Sequence, residues 1–164
     1  MNIYLCGFMG CGKSHVGKML AEKLGFTFAD LDSYIEEKEG LSIPEIFDKF
    51  GEPHFRKLEE KYILEMPEKS VVATGGGAVI NPVTAQSARK AGRVIFLDAD
   101  FELCYSRIKD DTHRPLVMKN TKEGLSELFE KRRKIYSEHS EFSVDANKTD
   151  AEIVNEIIEK AGLG

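Results

Sequence analysis

No apolar run in the 164-residue chain approaches 18 residues, so the sequence offers no membrane-spanning helix. The opening MNIYLCGFMG is apolar but lacks the basic stretch of a secretory signal, and the chain turns polar at Lys13. A surplus of positive charge is missing too. Lys and Arg number 23 against 28 Asp and Glu, a formal net charge of -5. A general nucleic-acid binder needs a basic stripe to match a phosphate backbone, so the charge balance argues against that class, whereas small anions need only a local cluster of Arg and Lys. Cysteine is sparse. Cys6, Cys11 and Cys104 are an odd number, form no C-x-x-C pair and have no histidine at a zinc spacing, which predicts free thiols in a reducing, cytoplasmic setting. There is no internal repeat and no linker. At 41% hydrophobic and 31% charged residues the composition is that of an ordinary globular chain, and its length predicts one domain over 1–164.

What is present alternates. Apolar runs predict strands over 3–6, 26–31, 71–73, 93–97 and a weak one over 142–144. Between them, 3.6-residue periodicity predicts helices over 13–24, over 52–65 and from 82 to about 91, another from about 100 to 109, and one marked by Leu125, Leu128, Phe129 and Arg132. Ser33…Glu36 and Ser42…Glu45 read as capping boxes opening two short helices, the second with Pro44 in its first turn, and Gly40 and Gly51 as their stops. Thr149…Glu152 caps a last helix whose apolar face is Ile153, Val154, Ile157 and Ile158. The polar stretch 110–122 breaks the periodicity and reads as a mobile excursion. Near-continuous apolar strands alternating with helices predict a parallel α/β sheet covered on both faces.

The strongest local signal is Gly7-Phe8-Met9-Gly10-Cys11-Gly12-Lys13-Ser14, a complete G-x4-G-K-S between a predicted strand and a predicted helix. Such a loop turns backbone N–H groups inward at a helix N-terminus, a cradle for phosphates. Lys13 can reach the outer phosphates and the Ser14 hydroxyl can ligate Mg²⁺. Asn147-Lys148-Thr149-Asp150 spells the guanine-reading N-K-x-D, but the D-x-x-G switch feature after the third strand is absent. A second cluster points to an acceptor. Asp30 and Asp32 lie at the predicted end of the second strand, where alternation would turn both carboxylates toward a crevice; helix capping by Asp32 or Ser33 is the competing reading. Arg56 and Glu59 stand at i, i+3, either as part of a site or as a surface ion pair. Gly75-Gly76-Gly77 follows the third strand and suits close approach of a ligand to the main chain. Arg107, Arg114, Arg132 and Arg133 are the remaining concentrated positives, suited to phosphate or carboxylate.

Taken together, GFMGCGKS, FADLDSYIE, GEPHFRKLEE, TGGGAV, HRPL and KRRKIY resemble the shikimate kinase family, in order, from residue 3 to about 145. The resemblance implies a five-stranded parallel sheet of order 2-3-1-4-5, of the nucleoside-monophosphate-kinase kind, and ATP-dependent phosphorylation of the 3-hydroxyl of shikimate in aromatic amino-acid biosynthesis. It assigns ATP to Lys13 and the amides of Gly10, Cys11, Gly12, Ser14 and His15, with Arg107 and Lys148 toward adenine. Mg²⁺ falls to Ser14 with Asp30 nearby. Shikimate falls to Asp32, Arg56, the glycines 75–77 and Arg132, with the acceptor segment over about 33–65. Arg114 belongs to a lid over about 110–122 that reaches phosphate, and Lys13, Asp32 and Arg114 carry the catalysis. A related small-metabolite kinase such as gluconate kinase, and a non-catalytic ATP-binding module, are the competing readings. A monomer is expected, with no nucleic-acid or membrane partner. Cys11 and His15 depart from the family pattern without removing a phosphate ligand. Cys11 is expected either as a reactive thiolate beside Lys13, protected by ATP, or as a small residue whose sulfur points inward.

Overall fold

A computed structural model describes residues 1–112 and 114–163; His113 of the HRPL stretch and Gly164 lie outside the described residues. The five expected strands are β1 (Asn2–Cys6), β2 (Thr27–Asp30), β3 (Ser70–Ala73), β4 (Gly92–Asp98) and β5 (Phe142–Asp145). They form one parallel sheet in the order β2-β3-β1-β4-β5, as the resemblance implies. β1 is central, and Ile3, Tyr4, Leu5 and Cys6 are sealed from solvent, which is why this strand shows no polar alternation.

The helices are α1 (Lys13–Leu24), α2 (Leu31–Glu39), α3 (Ile43–Phe50), α4 (Glu52–Tyr62), α5 (Pro82–Ala91), α6 (Phe101–Ile108), α7 (Pro115–Lys119), α8 (Lys122–His139) and α9 (Asp150–Ala161). α1 packs on β2 and β3 and against α9, while α5 and α8 pack on β4 and on each other. The capping boxes at Ser42 and Thr149 are formed, and Asn81 caps α5 through the Val83 amide. No described helix is long and apolar enough to cross a membrane.

Three elements differ from the sequence reading. The second strand stops at Asp30, and α2 begins at once with Asp30 as its N-cap, its side chain accepting from the Ser33 amide. The capping expected of Asp32 or Ser33 therefore falls to Asp30. Glu36 does not close a box with Ser33; its carboxylate accepts from the Ile43 amide and ties α2 to α3. The excursion over 110–122 is not loop throughout, since Pro115 at the first helical position opens α7.

The register explains where ligands can go. Asp30 pairs with Ala73, and Ala73 with Leu5, so the ends of β2, β3 and β1 lie level. The glycine loop after β1, the glycine turn after β3 and the start of α2 meet on one rim. That rim is the crevice outside the strands' carboxyl ends where a doubly wound sheet binds ligands, with β1 at the switch point between β3 and β4.

Candidate active site

Two cavities open along this rim. The larger, about 640 Å³, is lined by Gly10, Gly12, Lys13, Ser14, His15 and Arg107. Gly10 and Gly12 hold left-handed backbones, φ 81° and 99°, that let the loop curl under the start of α1. A Cβ on Gly10 would also lie 2.7 Å from the Cys104 carbonyl oxygen. The Lys13 ammonium crosses the loop and donates to the Gly7 and Phe8 carbonyls at 2.6 and 3.0 Å. Arg107 donates to the Gly10 carbonyl at 2.8 Å, so its guanidinium borders the cavity from α6. Cys11 is 2% exposed and does not line the cavity; its sulfur lies 2.7 Å from where a Gly7 Cβ would be and 3.7 Å from Lys13 Nζ. The inward reading of that thiol is the one the structure carries. Lys148, expected at the adenine end, is turned onto Glu156 at 3.0 Å and is not among the lining residues. Asn147 is engaged too, accepting from the Asp100 amide at 2.8 Å.

The smaller cavity, about 220 Å³, lies between α2, α3, α4, α8 and the glycine turn. Arg56 donates to Glu59 at 2.8 Å and to Glu52 at 2.9 Å. Glu59 is 1% exposed, so this is no surface ion pair. Arg132 projects from α8 with its Nε and Nη1 buried and without hydrogen-bond partners. Phe47 and Phe55 supply apolar walls. Two glycines of the turn, Gly75 and Gly77, sit tightly against charged side chains. A Cβ on Gly75 would lie 2.6 Å from Asp32 Oδ1 and one on Gly77 would collide with the Arg56 guanidinium, whereas one on Gly76 would press on Met9 Cγ at 3.2 Å and only touch Arg132 Nη1 at 3.6 Å. The sequence reading gave these glycines to ligand approach; here Gly75 and Gly77 also make room for the site's own charges.

The two cavities share Asp30, Asp32, Gly75, Gly76, Asp111 and Arg114. Asp32 reaches this junction from the first turn of α2, not from strand alternation as expected. Its Oδ1 is buried with no hydrogen-bond partner. Burial pushes its carboxyl up to about 6, Asp30 adds repulsion, and Arg114, Lys13 and Arg56 partly offset both. Glu59 is pushed up to about 7, chiefly by burial and against the pull of Arg56. Asp30 divides its oxygens: Oδ2 accepts from the Ser14 hydroxyl at 3.0 Å, Oδ1 from the Ser33 amide at 3.1 Å. A hydroxyl and a carboxylate oxygen side by side at the phosphate loop are the hard donors Mg²⁺ takes, so the pair fits that ion. Arg114, the N-cap residue of α7, is held by Asp111 at 2.9 Å. Met9, Glu36, Asp111 and Asp150 also line the cavities, although the sequence reading assigned none of them a site role; tertiary packing brings them to the rim.

A phosphate cradle and an arginine-lined pocket thus adjoin at a desolvated carboxylate. The shikimate kinase family model matches residues 9–161. The chain belongs to the shikimate kinase family. It is 47% identical to the shikimate kinase of Persephonella marina over 159 residues, 96% of each chain. It is 42% identical to that of Aquifex aeolicus over 160 residues, 96% of this chain and 94% of the relative. Among solved structures, the Acinetobacter baumannii shikimate kinase in complex with shikimate superposes with a TM-score of 0.93 at 36% identity, covering 98% of this chain and 92% of that one. A Sinorhizobium meliloti gluconokinase, at 22% identity and a TM-score of 0.54, shares the fold alone.

Proposed function

We infer that this chain is an ATP-dependent kinase that phosphorylates the 3-hydroxyl of shikimate, giving shikimate 3-phosphate and ADP. The observation that carries the mechanism is Asp32, a carboxylate with one unpartnered buried oxygen where the two cavities join. With its pKa near 6 it is ionised at neutral pH, so it can orient the acceptor hydroxyl and take its proton as the phosphoryl group arrives. Lys13 and Arg114 supply positive charge toward the transferring phosphoryl group, and the loop amides of residues 10–15 hold the nucleotide phosphates. Ser14 and Asp30 would hold Mg²⁺, whose chemistry is to neutralise phosphate charge. Arg56 and Arg132 take the acceptor carboxylate. Arg132 has donors to spare, and Arg56 is pre-oriented by its two glutamates.

Segment 33–65 forms the acceptor lobe, and 110–122 acts as a lid that keeps water, the competing acceptor, from the junction. Lys148, given to the adenine end by the resemblance, is held by Glu156 beside the larger cavity and would have to leave that ion pair to meet the nucleotide. One chain carries both cavities whole, which supports a monomer as the working unit, and three free thiols suit a reducing cytoplasm. The test is ADP release with shikimate, quinate, gluconate or no acceptor. Shikimate should support turnover at least ~10-fold above the rest. Preference for gluconate would move the enzyme to another acceptor class, and acceptor-independent ADP release would remove the kinase assignment.

A further inference from the structure

The glycine turn after β3 is gripped from behind. Tyr136 of α8 donates its hydroxyl to the Gly76 carbonyl, and three residues on, His139 Nδ1 meets the Val79 carbonyl at 2.6 Å. Arg132, Tyr136 and His139 are spaced i, i+4, i+7, so one stripe of α8 faces the whole turn. Tyr136 is 1% exposed, packs tilted on Phe96 with ring centroids 5.3 Å apart and lines neither of the two active-site cavities. Burial holds its phenol protonated, so it remains a donor. The Gly76 carbonyl and the Gly77 N–H belong to one planar trans peptide and point in opposite directions. Pinning the carbonyl toward α8 therefore turns the Gly77 N–H away from α8, and Gly77 is a lining residue of the acceptor cavity beside Arg56. Among the described residues no hydrogen bond from the Gly75, Gly76 or Gly77 amides is formed.

We propose that Tyr136 is a positioning residue: its hydroxyl fixes the 76–77 peptide so that the Gly77 N–H is presented to an acceptor oxygen, in register with Arg132 from the same helix. With glycine on both sides of that peptide, the local backbone itself does little to hold the orientation. The inference rests on the shikimate kinase reading above.

Tyr136→Phe keeps the ring and removes the hydroxyl, which donates to the Gly76 carbonyl and also meets the Arg132 side chain, so the Gly77 amide response is the readout that separates the two contacts. The expected result is a KM for shikimate raised about fivefold or more, with kcat and the KM for ATP within about twofold. His139→Ala, which frees the Val79 end, should lower Tm while leaving the KM for shikimate within about twofold. In protein labelled with ¹⁵N-glycine, shikimate should move the Gly77 amide resonance in the wild type and move it much less in Tyr136→Phe. An unchanged shikimate KM and Gly77 response in Tyr136→Phe overturns the proposal. So does an equal loss for ATP and shikimate, or a His139→Ala variant that reproduces the whole effect. Failure of the wild type to phosphorylate shikimate would instead strike the functional reading itself.

Discussion

At the scale of single residues, the site holds charge in places where charge is costly, and Asp32 shows the trade. Its carboxyl titrates near 6 because burial disfavours the ionised form. A raised folded-state pKa means the penalty is absent below the unfolded value near 4. It grows as pH rises and is fully present above 6, at most roughly 3 kcal/mol for a shift of this size. Asp32→Asn should therefore melt several degrees above the wild type at pH 8, with the difference closing toward pH 4, as scanning calorimetry across pH would show. The same variant should keep ATP affinity and lose most turnover. In the wild type, kcat/KM should fall as pH drops through 6. An Asp32→Asn enzyme with near-normal turnover would leave Asp32 no more than a first-turn carboxylate of α2. Arg132 carries the parallel argument. Its Nε and Nη1 lack partners, so Arg132→Met should raise the KM for shikimate at least ~10-fold without lowering Tm, measured by steady-state kinetics and thermal melts.

At the scale of elements, the lid proposal concerns α7. Replacing residues 115–119 by a Gly/Ser linker should lower kcat for shikimate by at least ~10-fold while raising the ADP released to water relative to that rate, both read in the coupled assay. Most of the architecture was legible in the sequence because its signals are local. The glycine loop, the capping boxes at Ser42 and Thr149 and the apolar runs of β1 and β4 each act over a few residues. The misses share a cause as well. That Asp30, not Asp32, caps α2 depends on where β2 stops, and strand ends are set by pairing with β3. The helix inside 110–122 is five residues long, too short for periodicity to register. That Lys148 turns to Glu156, that Glu59 is buried and that Tyr136 reaches Gly76 are all facts about chain segments far apart or packed in three dimensions.

At the scale of the whole molecule, all three thiols are buried, Cys6 and Cys104 completely and Cys11 to 2% exposure. Burial pushes Cys104 up to about 12 and Cys6 higher still, so neither is a ready nucleophile in the folded chain. Iodoacetamide should then label the three at similar, slow rates that report opening of the fold. ATP and shikimate together should slow all three; peptide mass mapping would show it, and fast labelling of Cys11 alone would return the reactive reading. The divided grip of Asp30 has a consequence for anyone recombining this enzyme with a relative. One oxygen belongs to the phosphate loop through Ser14, the other to the first turn of α2. A chimera joined at residue 31 would take the cap from one parent and the helix from the other, leaving the cassette's first turn dependent on a foreign aspartate's aim. The clean seam lies upstream, at Gly25, so that β2 and its terminal carboxylate travel with the helix they cap.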